Sequence, residues 1–253
     1  MKNIVSSKIL LLGKEISEID NLLPWKLIAD IPKFFESDSF SFVFENKIKD
    51  VVINEKNGPV IIDSTAKIEP YTILNGPIYI GKNVLIKSHS NISNSIIEDH
   101  CKIKGEVHSS IFQPFSNKAH EGFIGHSFIA SWVNLGAGTT TSNLKNNYSN
   151  VSVKWNGELV DTKSIFFGSI IGEHVKTSIG TNLNTGTVIE MGSNIVSQSF
   201  PPRYIPSFSF YYNGKISKIT FEDFKEVALK AMSRRNVDFS SIEATFFDLY
   251  KKD

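Results

Sequence analysis

The chain has 253 residues, of which 41% are apolar, and a formal net charge of +1. This length and composition fit one large or two small globular domains and exclude a disordered chain. Because 27 basic residues balance 26 acidic ones, the charge gives no reason to expect nucleic acid or an anionic membrane as a partner. Small molecules or other proteins are the expected partners.

Residues 1–58 form a lead-in segment without a repeat. Its apolar run at Ile9–Leu12 is too short to span a membrane and no cleavage signal follows it, so a cytoplasmic location is expected. A short helix is predicted near Leu23–Glu36. The segment is too small for a nucleotide-binding domain and contains no glycine-rich phosphate loop.

Within residues 59–200, an apolar residue recurs at every sixth position from Ile62 to Ile92, and the repeat resumes after irregular stretches. Helices repeat at about 3.6 residues and strands at about two, so a strict six indicates a parallel β-helix in which each hexapeptide forms one face of a triangular coil. The single cysteine, Cys101, takes a corner position and is expected to be a small buried packing residue. The repeat positions are Ile62, Ile68, Leu74, Ile80, Ile86, Ile92, Ile97, Ile103, Phe123, Ile129, Leu135, Ile171, Thr177, Leu183, Ile189 and Ile195.

Two other segments depart from the repeat. Residues 142–168 are rich in asparagine around the alternating Val151, Val153 and Trp155, which predicts a β-hairpin arm. Residues 201–253 begin with prolines and then show apolar residues at helical spacing, which predicts two short amphipathic helices. Such helices would cap the open end of a solenoid, where strand edges are unpaired.

The residues with the most chemical character surround His120. The segment Ser116–Gly125 precedes Val133–Thr139, which reads Val-Asn-Leu-Gly-Ala-Gly-Thr, and Asn143 follows. Together they resemble the acetyltransferase domain of the bifunctional N-acetylglucosamine-1-phosphate uridyltransferase and glucosamine-1-phosphate N-acetyltransferase family, a group of hexapeptide-repeat transferases. The resemblance covers about residues 60–210 and includes three further segments, Gly172–Thr177, Asn184–Thr187 and Pro206–Phe208.

This resemblance implies an all-β, left-handed parallel β-helix, an exception to the right-handed crossover rule, and a homotrimer with sites between subunits. Leu23–Leu27 resembles the linker that follows the nucleotidyltransferase domain of such relatives, so the chain is expected to lack that domain. The activity implied is transfer of an acetyl group from the cosubstrate acetyl-CoA to an amino sugar, a sugar phosphate or a nucleotide sugar.

Carried over position by position, the resemblance makes His120 the general base. A neutral imidazole, with an ordinary pKa of about 6.5, can take a proton from an attacking amine at neutral pH. The resemblance also makes Asn134 and Asn143 substrate contacts and places Phe123 where relatives have a tyrosine. The acetyl-CoA contacts that it implies are Gly136, Ala137, Gly138, Ser178 and Ser197, and glycines permit a close backbone approach to a ligand.

The family's phosphate-binding arginine and lysine fall at Ser90 and His108, which are further candidate substrate contacts. Because arginine or lysine normally holds a sugar phosphate, their loss predicts a different acceptor. Other basic side chains are candidates to replace them, namely Lys104, Lys118, Lys145 and Lys154.

Three alternatives compete with this interpretation. A zinc enzyme would use histidines such as His120 and His126, but their spacing differs from that of the known β-helix carbonic anhydrases, so no metal is expected. A non-catalytic trimeric scaffold would need only the repeat, which leaves the Asn-Leu-Gly-Ala-Gly-Thr segment unexplained. An acyltransferase that uses another acyl donor, such as an acyl carrier protein, would share the fold.

Overall fold

A computed structural model describes residues 1–18, 21–36 and 49–252 of the protein. Its main body is a parallel β-solenoid of about nine turns, in which short strands lie on three faces that we name A, B and C. Two longer strands, Ile73–Ile80 and Asn91–Ile97, run without interruption from face C onto face A. The predicted fold class, a left-handed parallel β-helix with a lead-in, a hairpin arm and C-terminal helices, is confirmed.

The strands of each face pair in parallel with those of the next coil. Besides the two long strands, face A contains Val60–Ile62, Ile111–Phe112, Phe128–Ile129, Ser169–Ile171, Thr187–Ile189 and Tyr204–Ile205. Face B contains Lys67–Ile68, Leu85–Ile86, Lys102–Ile103, Asn117–Lys118, Lys176–Thr177, Asn194–Val196 and Ser209–Tyr212. Face C contains Val52–Asn54, Glu106–His108, Phe123–Gly125, Thr140–Thr141 and Asn182–Leu183. Parallel pairing therefore includes strands on both sides of the 59–200 range that the repeat indicates.

The repeat residues are stacked inside the solenoid. On face A, for example, Ile97 pairs with Phe112 and Phe112 with Ile129, and all three side chains are fully buried. This in-register stacking buries apolar surface along the whole axis, which is the main source of stability in such a fold.

One repeat position was predicted wrongly. Phe123 pairs with Glu106 on the outside of face C, whereas the next residue, Ile124, pairs with Val107 and is fully buried. The interval from Ile124 to Ile129 is five residues instead of six, so counting back from Ile129 in sixes reaches an outward-facing residue. The inward position before it is Lys118, which pairs with Ile103.

The outer side of face A is covered by the lead-in and the arm. The lead-in contains strands Ile9–Leu11 and Lys14–Ile16, helix α1 at Pro24–Ala29 and helix α2 at Ile31–Phe34. The arm is an antiparallel hairpin of Ser152–Trp155 and Glu158–Asp161. Together they bury the outward residues of face A, which include Ile96, Ile111, Phe128, Ile170 and Val188.

The C-terminal segment contains helix α3 at Phe221–Ser233 and helix α4 at Ser240–Lys252. The Thr220 hydroxyl caps α3 by accepting a hydrogen bond from the backbone N–H of Asp223 at 3.1 Å. The helices pack beside the solenoid against Met191 and Phe208. On face B, the strand Lys215–Lys218 pairs antiparallel with Ser209–Tyr212 of the last coil. It thereby forms hydrogen bonds with the edge of that strand, which would otherwise be unpaired.

Candidate active site at the corner between faces B and C

His120 lies in the turn that joins Asn117–Lys118 on face B to Phe123–Gly125 on face C. Its side chain is exposed. The turn stacks on the corresponding turn of the next coil, where the backbone N–H of Gly138 donates to the Glu121 carbonyl at 3.0 Å. The proposed base therefore lies one coil from the Gly136–Gly138 turn.

The residues that the resemblance associates with acetyl-CoA follow one another down this corner. The backbone N–H of Gly180 donates to the Ala137 carbonyl at 2.7 Å, and the N–H of Ser197 donates to the Ser178 hydroxyl at 3.4 Å. Glycine is needed at position 136, since a Cβ there would lie 2.5 Å from the carbonyl of Ser178. The structure thus brings these candidates into a single column beside His120.

Face C carries a cluster of polar and aromatic side chains along the strand Phe123–Gly125 and in the turn that joins it to face A. The Asn143 amide nitrogen lies 2.9 Å from His126 Nδ1, and the rings of His126 and His108 are 5.0 Å apart. Phe123 packs over Gly125, where an added Cβ would lie 2.4 Å from the Phe123 ring and 2.7 Å from the Asn143 amide. Glycine at position 125 therefore makes room for both side chains.

His126 is the member of this cluster that the sequence did not indicate as a candidate substrate contact. Sequence reasoning considered His126 only as a zinc ligand. The structure reveals it, because His108 pairs with Gly125 one coil later, which places the next residue, His126, close to His108. Among the residues that the structure describes, no group of three His, Cys, Asp or Glu side chains is arranged to hold a metal ion.

Both imidazoles of the cluster are neutral near pH 7. Burial, and to a smaller extent the neighbouring His108, lowers the pKa of His126 to about 4. Burial also lowers the pKa of His108, although Glu106 opposes the change. The Nδ1 atom of His108 lies 2.6 Å from the Ser93 hydroxyl, and this hydrogen bond fixes the orientation of the ring.

The other residue at a phosphate-binding position, Ser90, is a corner-packing residue. Its side chain is buried, and its hydroxyl donates to the Lys87 carbonyl at 2.6 Å within its own turn. Neither Ser90 nor His108 therefore presents a positive charge. Of the other basic candidates nearby, Lys104 pairs with Glu121 at 3.1 Å.

The remaining candidates lie on different sides of the corner. Asn134 is exposed on face B, where its side-chain oxygen accepts a hydrogen bond from Asn117. Asn143 follows the strand Thr140–Thr141 on face C. Lys118 points inward and its amine binds backbone carbonyls, so the structure places it inside the corner instead of on the surface.

No protein-family model matches the chain. A bifunctional sugar-1-phosphate nucleotidylyltransferase/acetyltransferase of Sulfurisphaera tokodaii is 34% identical over 179 residues, which are 66% of this chain and 41% of that protein. A bifunctional protein GlmU of Methanococcus aeolicus is 32% identical over 188 residues, which are 68% of this chain and 41% of that protein. The chain thus spans about four tenths of the length of these curated relatives.

These sequence matches confirm the predicted resemblance to the uridyltransferase and acetyltransferase family. Among solved structures, a hexapeptide transferase family protein from Anaplasma phagocytophilum is 15% identical with a TM-score of 0.39, and the match covers 73% of this chain and 93% of that one. Within residues 1–18, 21–36 and 49–252, no helix has the length and apolar character needed to cross a membrane.

Proposed function

We propose that the protein is an N-acetyltransferase that transfers the acetyl group of acetyl-CoA to an amino sugar, with His120 as the general base. The observation that carries this proposal is the corner column, in which the exposed His120 turn stacks on the Gly136–Gly138 turn and is followed by Ser178 and Ser197. The similarity to proteins named as acetyltransferases supports the same reaction.

The chemistry needs few groups. The acceptor amine attacks the thioester carbonyl, the carbon–sulfur bond breaks and coenzyme A leaves as a thiolate. The proton that the amine sheds passes to the imidazole of His120, which acts as the general base. The glycine-rich turn allows the cofactor to approach the backbone closely, because Gly136 and Gly138 have no side chains.

The acceptor that fits this site best has no phosphate near face C. A sugar phosphate needs a cation, and charge-assisted hydrogen bonds to phosphate are about twice as strong as neutral ones. His108 and His126 instead offer neutral imidazoles beside the Asn143 amide and the Phe123 ring. This combination suits the hydroxyl groups and apolar face of a sugar ring, so we assign face C to an amino sugar whose charge is remote, masked or missing.

The proposed enzyme is a homotrimer in the cytoplasm, with each site completed by a neighbouring subunit. A non-catalytic trimeric scaffold is the second candidate, and the loss of cationic side chains at Ser90 and His108 favours it. An acyltransferase with a different acyl donor would also use His120 as the base, but a different ligand would bind along the column of Gly136–Gly138, Ser178 and Ser197.

A thiol-release assay tests the proposal. Acetyl-CoA is supplied with a panel of amino sugars, their 1-phosphates and their nucleotide-linked forms, and released coenzyme A is measured. Turnover should be fastest with an acceptor that lacks a phosphate next to the amine-bearing ring. Release with none of the acceptors would favour the scaffold, and release only with longer acyl donors would favour the other acyltransferase.

A further inference from the structure

The interior of face B contains one charged residue in an apolar column. Lys118 takes the inward position that pairs with Ile103, and its side chain is only 2% exposed. In the described coils, the corresponding inward residues carry no charge, and they are Ile68, Ile86, Ile103, Leu135, Thr177, Ile195 and Tyr211. The six-residue repeat calls for an apolar side chain at position 118.

The Lys118 amine ends inside the corner that carries His120. Its Nζ atom donates hydrogen bonds to the Lys104 carbonyl at 2.6 Å and to the His120 carbonyl at 2.9 Å. The space for it depends on Gly105, where an added Cβ would lie 3.1 Å from Nζ and 2.8 Å from the Gly122 carbonyl. Both glycines have positive φ angles, of 87° and 130°, so the corner is shaped around the amine.

Burying this amine is costly for the fold. Burial lowers the pKa of Lys118 to about 8, although Glu121 opposes the change. An apolar side chain at this position would avoid the cost of burying a charge, so solenoid stability alone does not explain a lysine there. Its effect is local, because it ties the carbonyl of the His120 turn to that of the preceding turn.

We propose that Lys118 is a positioning residue for His120, which holds the His120 turn in place by binding its backbone carbonyl from inside the solenoid. This role rests on the proposed function of His120 as the general base. Small displacements of a catalytic group reduce the rate strongly, since a shift of about 1 Å can cost about a hundredfold. A side chain that fixes the backbone of the base therefore affects turnover without touching the substrate.

Lys118→Met separates this role from a structural one. Methionine has a similar length and suits an inward position, so the midpoint of denaturant unfolding should stay equal or rise. We expect kcat to fall about tenfold to a hundredfold while KM for acetyl-CoA is unchanged. Ile103→Met is the matched control, since it changes the adjacent residue of the same column and should leave kcat unaltered. A Lys118→Met enzyme with wild-type kcat would overturn the proposal.

Hydrogen exchange makes the test independent of the proposed function. Two backbone N–H groups report on the turn, because Gly138 donates to the Glu121 carbonyl at 3.0 Å and Glu106 donates to the Gly122 carbonyl at 3.2 Å. Both should exchange faster in Lys118→Met and at the wild-type rate in Ile103→Met. Unchanged exchange in Lys118→Met would overturn the positioning role. If exchange is faster in Lys118→Met but the wild-type protein acetylates none of the acceptors, the result supports the positioning of the turn by Lys118 and contradicts the acetyltransferase function.

A chemical rescue covers the case in which Lys118→Met does not fold. In a Cys101→Ala background, which removes the only native cysteine, Lys118→Cys is alkylated while unfolded and then refolded. Alkylation with 2-bromoethylamine restores an amine at lysine length, whereas alkylation with 1-iodopropane gives an apolar side chain of the same length. Higher kcat in the aminoethylated protein supports the role. Equal kcat in the two products contradicts it.

Discussion

At the scale of single residues, the candidate site depends on how each side chain is held. His120 is exposed on its turn, Ser90 is buried in its own turn, and His108 is half-buried and hydrogen-bonded to Ser93. Only the first of these is free to act on a bound acceptor without rearrangement. The role of each residue therefore follows from its burial and partners as much as from its type.

His120→Ala should remove most acetyl transfer, because losing a general base typically lowers kcat by about a hundredfold to ten-thousandfold. Binding of acetyl-CoA, measured by calorimetry, should be largely intact, since the base acts on the acceptor amine. His89→Ala is the matched control, as His89 is an exposed histidine in an earlier turn of the same corner. Equal activity in His120→Ala and the wild type would remove His120 from the mechanism.

His108→Lys should improve the use of glucosamine-1-phosphate, since it places a cation at the position of the family's lysine. A charge-assisted contact is worth about 1.5 to 3 kcal/mol, which corresponds to about tenfold or more in kcat/KM. Ser90→Arg should instead lower the free energy of unfolding by about 1 to 3 kcal/mol, because the Ser90 side chain is buried at the corner. No gain in His108→Lys, or efficient use of the 1-phosphate by the wild type, would contradict a dismantled phosphate site.

His174 should make stability sensitive to acid. Burial beneath α3 and α4 lowers its pKa well below the ordinary 6.5, with a smaller effect from Lys176, and both ring nitrogens lack a partner among the described residues. Because the unfolded chain binds this proton more readily, the free energy of unfolding should fall as the pH drops below 6.5, by at most about 1.4 kcal/mol per pH unit.

The measurement compares the wild type with His174→Phe in urea between pH 7 and pH 5. The variant has no imidazole to protonate at this position, so its free energy of unfolding should rise steadily relative to that of the wild type as the pH falls from 7 to 5. Buried Glu98 and Glu173 have pKa values raised to about 8 and about 7, so in both proteins these groups increase stability as the pH falls. Comparing the two proteins separates the effect of His174 from this opposite contribution. Parallel pH profiles for the two proteins would show that His174 contributes nothing.

At the scale of elements, the arm is an integral part of the fold. Trp155 on the hairpin meets Trp25 of α1 edge to face, with ring centroids 5.4 Å apart, and both rings are 8% exposed. The contact joins the lead-in and the arm over face A, whose outward side chains would otherwise be exposed. The chain's own segments thereby cover the outer side of face A.

Trp155→Ala should lower the free energy of unfolding by about 3 to 5 kcal/mol, the usual cost of deleting a buried aromatic side chain. Leu159→Ala, on the opposite strand of the same hairpin, is the control: Leu159 is 74% exposed and its loss should change stability by no more than about 0.5 kcal/mol. Denaturant unfolding measures both. Equal effects of the two substitutions would mean that the arm does not stabilise the lead-in.

At the scale of the whole molecule, apolar side chains remain exposed on faces B and C and at the corner between them. Ile73 is 40% exposed, Ile179 77% and Tyr212 54%. We expect a homotrimer to cover part of this surface, because cyclic assembly buries apolar faces that one subunit leaves open. Light scattering at micromolar concentration should give three times the 28.3 kDa of one chain. A monomeric mass would exclude a site shared between subunits.

The sequence alone determined the solenoid and located the candidate site. Inward apolar residues at a six-residue spacing can be buried together only in a coil of three short faces. The period therefore specifies the architecture independently of the length and composition of the loops. His120 and the Gly136–Gly138 segment could be recognised from their motifs, and their spacing of one coil places them in stacked turns.

Only the tertiary structure decided which side chains meet. Successive coils differ in length, since Ser93 pairs with His108 fifteen residues later and His108 pairs with Gly125 seventeen residues later. A change of one or two residues moves a side chain from the inside to the outside or to the next corner. For that reason Ile124 and not Phe123 enters the core, His126 lies beside His108, and the Lys118 amine reaches the carbonyl of His120 from within.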